Sequence, residues 1–311
     1  MKRRDFLGTL GSGLATALVP TVRRPGRPPL RLIERWSWAM GQPVHLHLFA
    51  SSADYGYAAA EEALAELRLV EQHLSRFIDS SDLSELNRCA GRDGIRVSPV
   101  LQRVLRASLG FERLTGGAFN PAVEPLMRVW GFHAHRTSEP TASELGEARK
   151  AVLAARIVQE GPRVRLPSAH TSLDLGGIGV GYGLDRAILR LRALDVRSAF
   201  LNVSGDCYAL GAPPGEDGWL VDIASPHPGQ PPVASTRLRD AALATSSNAV
   251  SVVRYGRAVR GHVMDPQTGW PAAALAQVSV VASTGIEADA LSTAMLVSGK
   301  PGKGVLRYYR V

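Results

Sequence analysis

Asp289 and Thr293 stand four residues apart in the run EADALSTAMLV, residues 287–297. If the run is a helix, that spacing puts a carboxylate and a hydroxyl on one face. Joined by a backbone carbonyl from a side-chain-free loop, they make three hard oxygen donors. Such a set suits Mg²⁺, which keeps several waters and shares its remaining positions with substrate phosphates. The local alternative is that Thr293 bonds back to its own helix and Asp289 caps the first turn. A loop of the required kind stands in LDLGGIGVGYGLD (173–185), flanked by Asp174 and Asp185. Its glycines let a backbone approach a ligand closely, although a tight structural turn explains them equally. Tyr182, Leu184 and Arg186 take the third place in each register that begins as G-x-G-x-x-G. No G-x-x-x-x-G-K-[ST] occurs either, so dinucleotide-fold and P-loop chemistries are excluded.

Three further segments hold residues able to do chemistry. GHVMDPQTGWP (261–271) reads as a strand ending in a turn, and turn chemistry accounts for its Asp, Pro and Gly. It does not account for His262, whose imidazole is suited to moving protons near neutral pH. GGAFNPAVEPLMRVWGF (116–132) reads as a packed loop or as a rigid ledge for a flat aromatic ligand. His45 and His47 alternate in one strand and share a face, but no third ligand lies nearby in sequence, so they are not assigned to zinc.

The elements that must position these residues follow from pattern. PVHLHLFA (43–50) reads as a strand. A helix is predicted over about 57–77 from Ala60, Ala63, Leu64, Leu67, Val70, Leu74 and Phe77. Ser81 and Asp82 are cap candidates; Ser98-Pro99 opens a helix running to about Leu114, and Thr141-Ala142-Ser143-Glu144 opens another. VRLP, the glycine loop, a helix over 183–194 and the strand SAFLNVSG suggest one strand–helix–strand unit. Short strands over 219–264 read as antiparallel sheet, and AQVSVVAS leads into the Asp289 helix. Both element types interleave without a βαβ rhythm, so the fold class expected is α+β, one domain over 31–311.

The formal charge is +8 over 311 residues. Residues 1–30 hold six basic side chains against Asp5, five of those eight net charges, leaving about +3 for the rest. A nucleic-acid partner is therefore not expected. The segment MKRRDFLGTLGSGLATALVP has a basic start and a short, weakly apolar run, and so reads as a twin-arginine export signal before a Pro-rich linker. The expected location is the periplasm. Cys89 and Cys207 form neither a disulfide framework nor a metal-ligand spacing.

SRFIDSSDLSELN, TGGAFNPAVEPLMRVWGF, LDLGGIGVGYGLD, LNVSGD, ATSS, HVMDPQTG and EADALSTA, in that order from about Met40 to Ser298, resemble the ApbE family, the FAD:protein FMN transferases. The resemblance implies an exported or membrane-facing α+β enzyme. Such an enzyme splits FAD with Mg²⁺, transfers FMN to a Ser or Thr hydroxyl of a partner protein and releases AMP. It implies a metal site on Asp289, Thr293, the Gly177 carbonyl and Ser292. It also implies flavin-nucleotide contacts at Met40, Phe77, Ala118, Phe119, Asn120, Asp174, Val180 and Val263. Departures stand at Val180, where many members carry Lys, at Asn120 for Asp, at Phe77 for Tyr and at Ser247 for Gly. No nucleophile is expected in this chain, since the attacking hydroxyl belongs to the partner, a subunit of a membrane redox complex or a soluble reductase. His262 is the candidate proton acceptor, with Asp265 as alternative base or as the group orienting His262. Two competing readings keep the same pocket: a Mg²⁺-dependent FAD pyrophosphatase using water, and an exported FAD-binding protein.

Overall fold

Two strands open the described chain as a hairpin. β1 (Arg31–Ala39) and β2 (Gln42–Ala50) pair antiparallel, and only Met40 and Gly41 separate them. Both turn residues have positive φ, 56° and 70°, the geometry of a type I′ turn whose twist matches that of the strands. The computed structural model describes residues 30–311 apart from 134, 135, 228 and 273–275. The export signal expected over the first thirty residues thus falls almost wholly outside the described residues.

α1 (Ala53–Leu74) starts where the Ser52 hydroxyl accepts the Tyr55 N–H, and ends where Ser75 turns extended. The helix predicted over 57–77 is displaced accordingly, because capping chemistry rather than apolar spacing sets its ends. Phe77 lies beyond it and is 82% exposed. α2 (Asp82–Arg88) is capped by Ser81. After β3 (Ile95–Arg96), α3 (Pro99–Leu114) begins as predicted, with Ser98 as cap and Pro99 in the first turn. The segment expected as a loop over 116–132 contains a short helix, α4 (Glu124–Val129). α5 (Ala142–Leu153) opens on a capping box between Thr141 and Glu144, and β4 (Val158–Glu160) and β5 (Arg163–Arg165) follow.

The glycine run is not a loop. α6 (Gly176–Ala193) takes in the whole of it, broken only at Gly177 (φ −88°, ψ 20°). Beyond it come β6 (Ala199–Val203), β7 (Asp206–Leu210), β8 (Trp219–Ile223), β9 (Ala234–Leu238) and β10 (Ala241–Ser247). The chain closes with β11 (Val252–Tyr255), β12 (Ala258–Gly261), β13 (Gln277–Ala282), α7 (Gly285–Ser298) and β14 (Arg307–Arg310).

The main sheet has seven strands in the order β1-β2-β6-β7-β10-β13-β14, with every neighbouring pair antiparallel. The expected strand–helix–strand unit does not form within it, since β5 pairs with β3 and β4 in a separate sheet. The α+β class holds. Alternation along β2 divides the core: Val44, Leu46 and Leu48 pack with Leu64 and Leu67 of α1 and Leu184 and Ile188 of α6. Phe49 joins Cys207, Leu243 and Trp219 on the other face, under the β8–β9 hairpin. Cys89 and Cys207 are both free.

α6 and α7 meet glycine on glycine. A Cβ on Gly181 would stand 2.1 Å from the Gly285 carbonyl oxygen, and one on Gly285 2.3 Å from that of Gly181. The contact is therefore backbone on backbone, and it forbids any side chain at either position. We expect Gly181→Ala to cost about 3 kcal/mol or more, because neither backbone can retreat without moving a packed helix. Urea unfolding measures this; an unchanged midpoint would contradict so close a crossing.

Candidate functional site

The crossing brings the oxygen donors together. Asp289 lies in the second turn of α7, and its Oδ2 accepts the Gly181 N–H at 2.9 Å, bridging the two helices. It does not cap its own helix; Thr284 does, with Glu287 returning to the Thr284 hydroxyl. Thr293, one turn on, faces Gly177 so closely that a Cβ there would stand 2.8 Å from Thr293 Oγ1. The ψ of 20° at Gly177 turns its carbonyl out of the helical direction. Asp289 and Thr293 of α7 thus stand together with Gly177 of α6, more than a hundred residues away in sequence.

The hydroxyls nearby fix one another's protons. Ser292 Oγ donates to the Asp289 carbonyl at 2.9 Å, which uses its only hydrogen. Ser246 Oγ, 2.8 Å from Ser292 Oγ and 3.2 Å from Thr293 Oγ1, must then donate to Ser292 and accept from Thr293. That direction leaves the lone pairs of Thr293 Oγ1 free. Thr293 therefore does not bond back to its own helix, and Ser292 is a supporting group whose hydroxyl is already engaged.

Three acids stand near these donors, Asp289 buried and Asp185 and Asp206 half-buried. Burial pushes Asp206 up to about 7, and the Thr245 N–H opposes it only in part. Burial also raises Asp185 to about 6, although its two oxygens take the Gly285 and Ile286 N–H groups at the start of α7. Asp289 is raised well above the usual range by burial, with the charge of Asp206 adding to the effect. Among the described residues no basic side chain pairs with Asp206 or Asp289. Buried carboxylates without a counter-charge are costly, and hard oxygen donors around a notch where Gly177 has no Cβ meet the needs of a small divalent cation. The donor set fits Mg²⁺. Sequence reasoning missed Asp206 and Ser246, which stand in LNVSGD and ATSS but show their role only when β7, β10 and α7 converge.

A second group stands beside the first. Asp174 Oδ1 accepts the Gly176 N–H at 2.7 Å, steadying the entry to α6. Its Oδ2 lies 3.7 Å from Arg76 Nε and 3.5 Å from His133 Nε2. Glu124 is buried under Arg76 and His133, at 3.3 and 3.4 Å. Burial alone would raise its pKa, but His133, Arg128 and Arg76 lower it below the usual value. The Arg76 guanidinium sits 5.4 Å from the Phe77 ring centroid and the His133 ring 6.4 Å from it, leaving that ring widely exposed. Arg76, Glu124 and His133 were not legible as functional; Arg76 is the neighbour of a predicted contact, Glu124 lies in the segment read as a ledge, and His133 follows directly after it.

His262 follows β12, with its ring 6.4 Å from that of Phe132. Burial lowers its pKa, opposed by the Ser251 backbone and the charge of Asp174. Its Nδ1 is buried and has no hydrogen-bond partner. A neutral ring with an unengaged nitrogen is what a proton acceptor requires. Asp265 is placed differently. Its oxygens accept the Gln267 N–H and the Thr268 hydroxyl, both at 2.8–2.9 Å, so it is engaged in its own turn and makes no bond to His262.

The remaining predicted contacts divide by burial. Met40, in the hairpin turn, lies against Gly179 and Gly183 of α6. Phe119 is buried against Phe111, with Ala118 packed on the same cluster. Asn120 accepts the Ala122 N–H at 2.8 Å and donates to Glu112 at 3.3 Å. Val180 and Val263 are buried in apolar clusters. Val180 packs there because an apolar side chain on that face of α6 finds the sheet, so any ligand contact falls to its backbone.

Comparison with known proteins identifies the family. The ApbE family model matches residues 40–309. A FAD:protein FMN transferase of Treponema pallidum is 32% identical over 292 residues, covering 88% of this chain and 81% of that protein. One of Rhodobacter capsulatus is 31% identical over 223 residues, 70% of this chain and 42% of that protein. The crystal structure of the apbe protein from Thermotoga maritima superposes with a TM-score of 0.79 at 27% identity, over 86% of this chain and 87% of that one. The flavin transferase ApbE from Vibrio cholerae shares the fold, with a TM-score of 0.77 at 23% identity over 91% and 97%. Fold and relatives together define a transferase of α+β build. The chain belongs to the ApbE family.

The buried acids make stability depend on pH. A carboxyl that protonates more readily folded than unfolded adds stability at low pH and loses it as pH rises. The contribution of Asp185, Asp206 and Asp289 is full below about pH 4, and fades through about 6 for Asp185 and about 7 for Asp206. We expect the metal-free Asp206→Asn variant to lose less stability than the unaltered chain between about pH 5 and pH 8. Urea midpoints at both values test it; equal losses would mean Asp206 does not share this strain.

Proposed function

We propose that this protein is a Mg²⁺-dependent FAD:protein FMN transferase, acting on a Ser or Thr hydroxyl of a partner protein and releasing AMP. The observation that carries the reading is the oxygen cradle of Asp289, Thr293 and Gly177, with Asp206 nearby and, among the described residues, no basic side chain paired to either acid. Membership of the ApbE family supports it. Bound there, Mg²⁺ would neutralise the diphosphate of FAD and the charge building on departing AMP.

The chain's own residues position and exclude. Asp289, Thr293 and the Gly177 carbonyl would hold the ion. The Gly181 N–H orients the Asp289 carboxylate, and Ser246 and Ser292 hold the Thr293 hydroxyl with its lone pairs outward. Phe77 offers a π-face to the flavin ring, with Arg76 beside it to meet anionic oxygen. The partner's hydroxyl oxygen attacks the phosphorus of the FMN half; a new P–O bond forms as the bond to the bridging oxygen breaks, and AMP leaves with that oxygen. His262 takes the hydroxyl proton and returns it to solvent or to AMP. The acceptor is a flavin-carrying subunit of a membrane redox complex or a soluble reductase, met in the periplasm, to which the basic leader directs the chain.

Incubation of the full chain with FAD, MgCl₂ and candidate acceptor domains, read by mass spectrometry, tests the reading. The expected result is one covalent FMN on an acceptor Ser or Thr and an equal amount of AMP. AMP formed without acceptor would identify a pyrophosphatase, and FAD retained intact would identify a binding protein. Asp289→Ala is expected to lower transfer by at least about 100-fold and to weaken FAD binding. His262→Gln is expected to slow transfer by roughly 100-fold or more with FAD affinity nearly unchanged. A matching loss of affinity would make His262 a ligand contact instead.

A further inference from the structure

The first hairpin assembles a group that sequence spacing had set aside. β1 supplies what the two histidines lacked: Glu34 stands directly opposite His47, and Trp36 opposite His45. Alternation sends Val44, Leu46 and Leu48 into the helix-side core, so His45 and His47 project from the other face of the sheet. Glu34 Oε1 lies 2.7 Å from His45 Nε2 and 3.6 Å from His47 Nε2. One ligand atom from each of the three residues lies within 4.8 Å of the others. Both histidine side chains are largely covered, whereas Glu34 is nearly half exposed.

The group is also held in place. The Trp36 indole stacks on His45 with centroids 3.7 Å apart and planes 11° from parallel. Its Nε1–H donates to Glu34 Oε1 at 3.1 Å. The His47 ring meets His45 edge-on at 4.1 Å and lies parallel to Trp219 at 6.4 Å. A tetrahedral ion with bonds of about 2.0–2.2 Å sets its donors roughly 3.3–3.5 Å apart. The Glu34–His47 pair already stands at 3.6 Å, and the Glu34–His45 pair, hydrogen-bonded at 2.7 Å, would open slightly to admit the ion. Two imidazoles and one carboxylate, with one side open to solvent, form a donor set that favours zinc-type ions over magnesium.

We propose that Glu34, His45 and His47 form a second metal site, taking a zinc-type divalent ion with a water in the open position. It would clip β1, the terminal strand of the main sheet, to β2. The site is independent of the flavin reading, because it lies on the sheet face away from α6 and α7 and shares no residue with the Asp289 cradle.

Titration of the chelator-stripped full chain with Co²⁺ in excess MgCl₂ separates the two sites, since Mg²⁺ occupies the oxygen cradle and leaves the histidine site free. One equivalent of Co²⁺ is expected to bind with the visible ligand-field bands of a low-coordinate nitrogen–oxygen site, and Zn²⁺ should displace it. Glu34→Gln, at a half-exposed and nearly isosteric position, and His47→Asn should each weaken Co²⁺ binding by at least about 10-fold with the far-UV circular dichroism unchanged. Asp289→Ala should leave the bands intact. Absence of the bands, full affinity in both hairpin variants, or loss of the bands in Asp289→Ala would each overturn the proposal. Flavin transfer by Glu34→Gln at the unaltered rate is expected whichever way the metal titration falls.

Discussion

The contact between Gly181 and Gly285 governs the rest of the site. It lets α6 and α7 approach until backbone meets backbone, and only at that separation can the Asp289 carboxylate reach the Gly181 N–H. The same approach places Thr293 over the notch at Gly177. Asp185 reinforces the crossing by taking two N–H groups at the start of α7, satisfying donors that a helix terminus leaves open. Two helices without these glycines would stand apart by the width of their side chains, and the oxygen donors would not meet.

That closeness carries an electrostatic cost. Asp185, Asp206 and Asp289 are drawn into one poorly solvated region, where each resists ionisation through burial and Asp289 also through its acidic neighbours. A fold selected for stability alone would place apolar groups there. Acids with raised pKa, gathered beside free hydroxyl lone pairs, mark a candidate functional site. The hydroxyl relay from Thr293 through Ser246 to Ser292 belongs to it, since it spends protons inward and leaves the Thr293 lone pairs free.

The surroundings of Phe77 are built by different means. Arg76, Asp174 and the Glu124–His133 stretch come from three separate parts of the chain and hold one another by ion pairs, so Phe77 can stay exposed on an ordered support. The Asp289 side rests on backbone approach and the Phe77 side on side-chain charge. Asp174 joins the two through the Gly176 N–H. On the opposite face of the main sheet, the β1–β2 hairpin carries its own polar cluster, isolated by the alternation that buries Leu46 between two histidines.

Local physics was legible in the sequence wherever a short stretch decides its own structure. Caps at Ser81, Ser98 and Thr141, the Asp289–Thr293 helical face and the antiparallel character of the second half all follow from neighbours a few residues apart, as did the α+β class. Helix ends at Ala53 and Leu74, the helical state of the glycine run, the burial of Val180 and the engagement of Asp265 in its own turn did not, because each depends on what packs nearby. Which donors meet which was decided by tertiary structure alone. Gly181 reaches Asp289 across 108 positions and Ser246 reaches Ser292 across 46, and Glu34 finds His45 only once the Met40-Gly41 turn fixes the register. Residue types state what chemistry a chain can do; the close approach of distant backbones decides where it is done.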